Sequence, residues 1–226
     1  MVNAPGNEKR FYAVDPEFDP ERAPVKFRLT YDGRLESNGG ALHKHSIRRA
    51  LHPQLKRLWQ VEPNLSTTAS TFMNVLMAEG AAPESPWLTP EGLAKNFQRD
   101  GFRYVPLVNK AAELVASLDI LYLRYGMPGN VLVGGDIDNR LKTLFDALTM
   151  PGSKQQIGDA MPGPDEDPFY VLLEDDRLIN QVSVETDTLL DPPKVTDNKG
   201  DWNSARLVIT VHIRPTRVTM DNMHFV

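Results

Sequence analysis

The stretch "ELVASLDILYLRY", residues 113–125, is apolar on both faces and predicts a strand in the centre of a sheet. Further strand-like segments lie on either side of it in the chain. They are "VKFRLTY" (25–31), "FRYVPLV" (102–108), "FYVLLEDDRLINQVSVETD" (169–187, strand, acidic turn, strand) and "ARLVITVHIRP" (205–215). Together they predict an α+β fold in a single domain, with a mixed, mainly antiparallel sheet and a few helices packed on it.

Two segments have helical spacing. In "HSIRRALHPQLKRLWQ" (45–60), apolar residues recur every three or four positions, and Pro53 is expected to kink or split the helix. The second helix is predicted over 136–149. Its core-facing side comprises Ile137, Leu141, Leu144, Phe145 and Leu148.

Length and composition exclude several classes of protein. The 226 residues suffice for one full-sized domain, and 41% of them are hydrophobic. Without cysteine the chain has no disulfide or thiolate metal site. No apolar run is long enough to span a membrane and the start lacks the apolar core of a secretory signal, so a cytoplasmic protein with no membrane partner is expected.

Net charge is −5, which on its own argues against nucleic acid as a partner. The acidity is regional, however, because residues 159–201 hold 12 of the 30 acidic residues and only three of the 25 Lys and Arg residues. The rest of the chain carries 22 basic and 18 acidic side chains. A basic surface is therefore compatible with the acidic total.

The run "GGDIDNRLKTLFDAL" (134–148) places two aspartates one residue apart at the start of the second helix. Asp138, Lys142 and Asp146 form a polar stripe along that helix. One interpretation is structural: Asp136 caps the helix, Asp138 complements its positive end, and Lys142 pairs with an aspartate. The other interpretation is a metal site.

A second acidic cluster, "EDD" (174–176), lies between two apolar segments. Three adjacent acids repel one another, and a solvated turn more often uses Gly, Asn or Ser. Two acidic clusters at the ends of buried elements can converge on one divalent cation, which removes the repulsion. Oxygen ligands without cysteine suit Mg²⁺ or Mn²⁺.

The pattern D-x-D-N-x-x-K-x-x-x-D-A-L followed by D-D-x-x-I resembles the motif pair of the RusA-type Holliday junction resolvases, small Mg²⁺-dependent endonucleases. The resemblance covers 134–184, with a weaker echo at "YDGRLESN" (31–38). The matching residues are Asp136, Asp138, Asn139, Lys142, Asp146, Ala147, Leu148, Asp175, Asp176 and Ile179.

The resemblance implies roles for these residues. Asp136, Asp138 and Asp176 would be catalytic metal ligands, with Asp175 as a further ligand. Lys142 would be the catalytic cation, and Asn139 and Asp146 would support the site. The family acts on branched DNA as a homodimer, because resolving a four-way junction needs two active sites on opposed strands. A homodimer acting on branched DNA is therefore expected.

This chain departs from the family in its acidic net charge and in two insertions. Residues 1–24 are expected to form an N-terminal arm, and 25–226 a nuclease domain with insertions at about 62–101 and 150–168. The DNA structure that it recognises is therefore left open between junctions, forks and flaps.

The segment 43–57 is the predicted DNA-binding surface, although it could equally be a solvated helix face. The predicted DNA contacts are Lys44, Arg48, Arg49, Lys56, Arg57 and, on the second helix, Arg140. The acidic loop 159–167 is expected to be disordered or solvated, or else to cover a basic groove until DNA arrives or to contact a partner.

Other functions compete with this hypothesis. The D-x-D pattern also occurs in haloacid-dehalogenase phosphatases and nucleotide-sugar glycosyltransferases, but Asn139 and the sheet-rich pattern argue against the former. The few βα units upstream argue against the latter. A DNA-binding relative without metal or catalysis is a further alternative.

Overall fold

The protein is described by a computed structural model over residues 25–62, 65, 89–125, 137–190, 202–219, 222 and 225. Several predictions lie outside these residues. They concern the N-terminal arm 1–24, most of the expected insertion 62–101 and the predicted metal ligand Asp136.

A four-stranded sheet contains the predicted central strand. Its strands are β1 (Val25–Arg34), β4 (Leu114–Arg124), β6 (Ile179–Thr188) and β7 (Ser204–Pro215), in the order β1-β7-β4-β6. β7 is antiparallel to both of its neighbours, and β4 and β6 are parallel. The central position of residues 113–125 is confirmed, since β4 is paired on both edges.

A second sheet has the order β2-β3-β5, with β2 (Gln98–Arg99), β3 (Phe102–Val108) and β5 (Phe169–Leu173). β3 is antiparallel to β2 and parallel to β5. All five residues of β5 are buried. β5 and β6 therefore belong to different sheets, and the acidic residues 174–176 lie where the chain crosses between them.

Three helices are present in the described part of the chain: α1 (Ala41–Val61), α2 (Pro90–Asn96) and α3 (Ile137–Leu148). α1 runs through Pro53 without being split, and Pro53 is on its exposed side. α2 begins at a Thr89 cap, whose hydroxyl accepts a hydrogen bond from Gly92 N at 3.0 Å. The two predicted helices around 45–60 and 136–149 are thus confirmed.

The main core lies between α1, α3 and one face of the four-stranded sheet. The alternating residues Leu207, Ile209, Val211 and Ile213 of β7 are all fully buried there. A second cluster, which contains Phe102, Tyr104 and Phe169, fills the space beside the three-stranded sheet. The rings of His45 and His52 on α1 pack against Phe169 at 5.8 and 4.6 Å between centroids.

The predicted fold class is confirmed. Among the described strands, three pairings are antiparallel and two are parallel, and helices pack on the sheets. Within the described residues, no helix has the length and apolar character needed to cross a membrane.

Candidate functional site

Helix α3 carries the first acidic motif and is anchored by its apolar face. Leu144 and Leu148 are fully buried, and Ile137, Leu141 and Phe145 pack against the same core. This is the predicted core-facing side. The polar stripe points outward: Asp138 and Lys142 are exposed, and Asp146 is half-buried at the C-terminal end of the helix.

The second acidic motif forms a tight bend after β5. Asp175 caps a single 3₁₀ turn, Asp176–Leu178, and its carboxylate accepts a hydrogen bond from Arg177 N at 3.1 Å. The turn contacts both α3 and β4. The two acidic motifs, which are about 30 residues apart in the sequence, are therefore neighbours in the fold.

A cavity of about 300 Å³ lies between the end of α3 and the acidic bend. Acidic and basic side chains line it in equal number. Its lining residues are Lys44, Arg48, Arg99, Lys110, Asp146, Thr149, Met150, Gly152, Gln156, Glu174, Asp175 and Asp176. The cavity thus combines Asp146 of the first motif with Asp175 and Asp176 of the second, whereas Asp138, Asn139 and Lys142 do not line it.

Lys110, in the loop after β3, pairs with two of the three acids of the bend. Its Nζ lies 2.5 Å from Asp175 Oδ2 and 3.7 Å from Glu174 Oε1, and its backbone N–H donates to Glu174 Oε2 at 2.8 Å. The hydrogen bond from Lys110, together with that from Arg177 N, lowers the pKa of Asp175 to about 2. Asp175 is therefore ionised at neutral pH and already paired with a cation.

Lys44 on α1 neutralises Asp146. The two side chains form an ion pair, with Nζ and Oδ2 2.7 Å apart. In the structural interpretation of the polar stripe, Lys142 was expected to pair with Asp138 or Asp146. The structure pairs Asp146 with Lys44 of α1 instead. Lys44 therefore lies at the cavity, next to the first acidic motif.

Two predicted DNA contacts must be corrected. Arg48 is 2% exposed and Arg140 is 4% exposed, so neither side chain lies on an exposed helix face as predicted. Arg48 binds the carbonyl groups of Asp146 and Thr149 at the end of α3, and Arg140 Nη1 donates to Leu35 O. Both side chains tie α1, α3 and the end of β1 together.

The remaining basic residues of α1 lie on an exposed side that the acidic loop partly covers. Arg49 Nε is 2.8 Å from Glu166 Oε1, and its Nη2 donates to Met161 O at 2.7 Å. Lys56 Nζ donates to Asp165 O at 3.2 Å, whereas Arg57 is exposed and bonds Gln60 of its own helix. Met161, Asp165 and Glu166 of loop 159–167 thus contact α1, and covering of a groove until DNA arrives stays a prediction.

The donor set can be compared with the predicted metal. The oxygen ligands at the cavity are of the kind that Mg²⁺ and Mn²⁺ prefer. In the described residues, no three His, Cys, Asp or Glu side chains form a group that could hold a metal ion, and Asp136 lies outside those residues. The predicted ligand set therefore stays a prediction.

The sequence did not point to Lys110 and Arg99 at the cavity. β3 and β5 are parallel, with Val108 opposite Leu173, so the residues that follow these strands meet at one end of the sheet. The contact between Lys110 and the acidic bend could have been predicted only from the order of the strands in the sheet.

Comparisons with known proteins give no match: no protein-family model, no curated protein and no solved structure matches the chain. The similarity to RusA-type resolvases stays a hypothesis that rests on the motif residues.

Proposed function

We propose that the protein is a Mg²⁺- or Mn²⁺-dependent endodeoxyribonuclease of the RusA type, which hydrolyses phosphodiester bonds in branched DNA and resolves four-way junctions by paired nicks as a homodimer. The observation that supports this proposal is the proximity of the two acidic motifs. α3 contacts the 3₁₀ turn of the acidic bend, and one cavity contains carboxylates of both motifs beside two lysines.

In the proposed site, Asp136, Asp138 and Asp176 hold the metal, and Asp175 is a further ligand. A bound divalent ion would neutralise charge on the scissile phosphate and activate a water molecule. Asp175 can serve as a ligand only after it leaves Lys110, since the two side chains are 2.5 Å apart. The metal ion and Lys110 would therefore compete for the carboxylate of Asp175.

The lysines supply positive charge where the transition state gains negative charge. Lys142 is exposed on the same stripe as Asp138, and Lys44 and Lys110 lie at the cavity wall. An ammonium group already in place near a phosphate stabilises negative charge on the phosphate oxygens, and the protein need not rearrange during the reaction. We assign the catalytic role to Lys142 and a phosphate-orienting role to Lys44.

The DNA duplex is proposed to lie along the exposed side of α1, where Arg49, Lys56 and Arg57 remain accessible in part. Contacts of this kind release counterions and make the affinity depend on salt. Arg48 and Arg140 are left out of this surface because they are buried.

The proposal is tested by Asp138→Asn, with Asp187→Asn on the distant strand β6 as the control for loss of one exposed carboxylate. The substrates are a synthetic four-way junction, linear duplex, single strand and a small phosphomonoester, each with Mg²⁺ or EDTA. We expect symmetrical nicks in the junction with wild type and Asp187→Asn. Asp138→Asn should not cleave, yet should bind the junction at least as tightly because a repelling charge is removed.

Cleavage by Asp138→Asn at the wild-type rate in Mg²⁺ would disprove the metal assignment. Release of phosphate from the monoester without DNA cleavage would instead favour the phosphatase alternative.

A further inference from the structure

The cavity beside the acidic bend contains a buried cation, Arg48, that forms no ion pair with any described residue. Arg48 makes three hydrogen bonds, to Thr149 O at 3.1 Å, to Asp146 O at 2.7 Å and with His45 Nδ1 at 3.3 Å. In the described part of the chain, no carboxylate lies within ion-pairing distance of it. A guanidinium group has five N–H donors, so two of those of Arg48 have no acceptor among the described residues.

The surroundings of Arg48 compensate its charge only in part. The carbonyl groups at the C-terminal end of α3 supply about half a negative charge. His45 is uncharged at neutral pH, because burial and the nearby Arg48 lower its pKa to about 4. A buried charge without full compensation is costly, and a bound anion would remove that cost.

Among the four acids that line the cavity, Asp146 acts on Arg48 through its charge, but lysines engage three of the four. Lys44 holds Asp146 at 2.7 Å, and Lys110 holds Asp175 at 2.5 Å and Glu174 at 3.7 Å. The acidic side of the cavity is therefore neutralised in part, since two lysines face four carboxylates.

Arg99 adds a second cation without an acidic partner in the described residues. It is exposed at the end of β2, and its Nη1 donates to Pro151 O at 2.9 Å. Arg48 and Arg99 both bind carbonyl groups of the short segment 149–151, so their guanidinium groups lie on one wall of the cavity. Gln156, whose side chain reaches Gly152 N, lines the same region.

We infer that this wall binds a phosphate group through Arg48 and Arg99. The inference rests on the proposed function in one respect, that the phosphate belongs to the DNA strand under cleavage. Paired guanidinium groups suit phosphate because each offers parallel N–H donors to two oxygens. A strand held there would lie in the cavity, beside Asp175 and Asp176 of the acidic bend.

The variant Arg99→Gln tests this inference, and Arg103→Gln is its matched control. Both arginines are exposed in the same hairpin, but Arg103 pairs with Asp167 at 2.7 Å and does not line the cavity. Arg48 is left unchanged because its buried bonds hold α1 to α3. Both variants remove one positive charge, so non-specific electrostatic effects are equal between them.

The first measurement is binding of a labelled four-way junction in EDTA, where no cleavage occurs. We expect Arg99→Gln to weaken binding roughly five- to tenfold and to reduce the slope of log affinity against log salt by about one. Arg103→Gln should bind like wild type. Equal affinities of all three proteins would overturn the inference, even if the wild type cleaves junctions.

The second measurement is thermal unfolding with inorganic phosphate against chloride at equal ionic strength. Phosphate stabilises proteins generally through exclusion from their surface, and this part is common to all variants. Specific binding should add about 3 °C for wild type and Arg103→Gln at a phosphate concentration ten times the dissociation constant. The extra rise should be lost in Arg99→Gln, and an equal rise in all three proteins would contradict the site.

The two measurements separate the inference from the nuclease proposal. Phosphate binding that depends on Arg99, with no affinity for DNA, would support the anion site and reject the nuclease. Junction cleavage with no effect of Arg99→Gln on either measurement would reject the anion site and leave the nuclease standing.

Discussion

At the residue scale, Lys110 decides the charge state of the acidic bend. Its ammonium group is 2.5 Å from Asp175, although the two residues are 65 positions apart in the sequence. The pair is partly exposed, so its contribution to folding stability is expected to be small. Its larger effect is on the ionisation of Asp175.

We expect Lys110→Gln to raise the pKa of Asp175 from about 2 towards the ordinary value of 3.8. The substitution removes the hydrogen bond from Lys110, which contributes most to the stability of the ionised carboxylate. A titration of side-chain carboxyl ¹³C shifts measures this change. Lys26→Gln, on the exposed side of β1, is the control and should leave Asp175 unaffected. An unchanged pKa in Lys110→Gln would mean that Lys110 does not hold the carboxylate in solution.

Residue types alone predicted where charge would be, but not which charges would be buried. Arg48 and Arg140 have the helical spacing of surface residues, and both became buried because another element covers that side of the helix. The reach of a long side chain to a distant carbonyl group depends on packing between elements. Lys44, by contrast, was predicted as an exposed DNA contact. It lies instead at the cavity, where it remains a cation beside the first acidic motif.

At the element scale, the acidic loop and α1 form a contact between opposite charges. Glu166 accepts two bonds from Arg49 and one from Gly163 N, and these lower its pKa although burial acts in the opposite direction. The loop therefore forms an ion pair with Arg49, which was predicted to contact DNA. If DNA binds along α1, it must compete with Glu166 for Arg49.

Glu166→Gln is expected to tighten binding of branched DNA about three- to tenfold at low salt, because Arg49 is released for a phosphate contact. Asp167→Asn is the control, since it removes a neighbouring acid that pairs with Arg103 instead. Fluorescence anisotropy over a range of salt concentrations measures both. Equal tightening by the two variants would indicate a general charge effect rather than competition at Arg49.

Periodicity predicted the elements well because it reflects one-sided burial. The alternation in β7 and the stripe of apolar residues on α3 are imposed by a single packed face. β5 has no such alternation, since it is buried on both faces, and so nothing local indicated that β5 and β6 join different sheets. The position of the acidic bend between the sheets follows from that division.

At the scale of the whole molecule, two buried histidines hold α1 against the three-stranded sheet. His52 Nδ1 accepts a hydrogen bond from Tyr170 N at 2.9 Å, so its proton is assigned to Nε2, which donates to Asp165 O at 3.0 Å. Burial lowers the pKa of His52, and burial with the nearby Arg48 lowers that of His45 to about 4. Both rings are therefore neutral in the folded protein at pH 7.

The free energy of unfolding should consequently fall as the pH drops below 6.5. In the window from 6.5 to about 4 the unfolded chain binds protons that the folded His45 does not, whereas above 6.5 neither state does. Urea unfolding at pH 7 and pH 5 should differ by on the order of 2 kcal/mol from His45 alone. At pH 5 the carboxylates of Glu166 and Asp167, whose pKa values are lowered, are still ionised.

His45→Gln is the matching variant, and its stability should change less between these two pH values. A wild type equally stable at pH 5 and pH 7 would contradict the burial of neutral histidines in this cluster.

The position of β7 between β1 and β4 has a consequence for synthesis in the cell. Both neighbours leave the ribosome well before residues 204–215, and their facing edges have no strand to pair with during that interval. Open edges recruit other nascent chains and molecular chaperones. A stop codon before Ser204 would thus produce a substrate for proteolysis rather than a shortened protein with the same sheet.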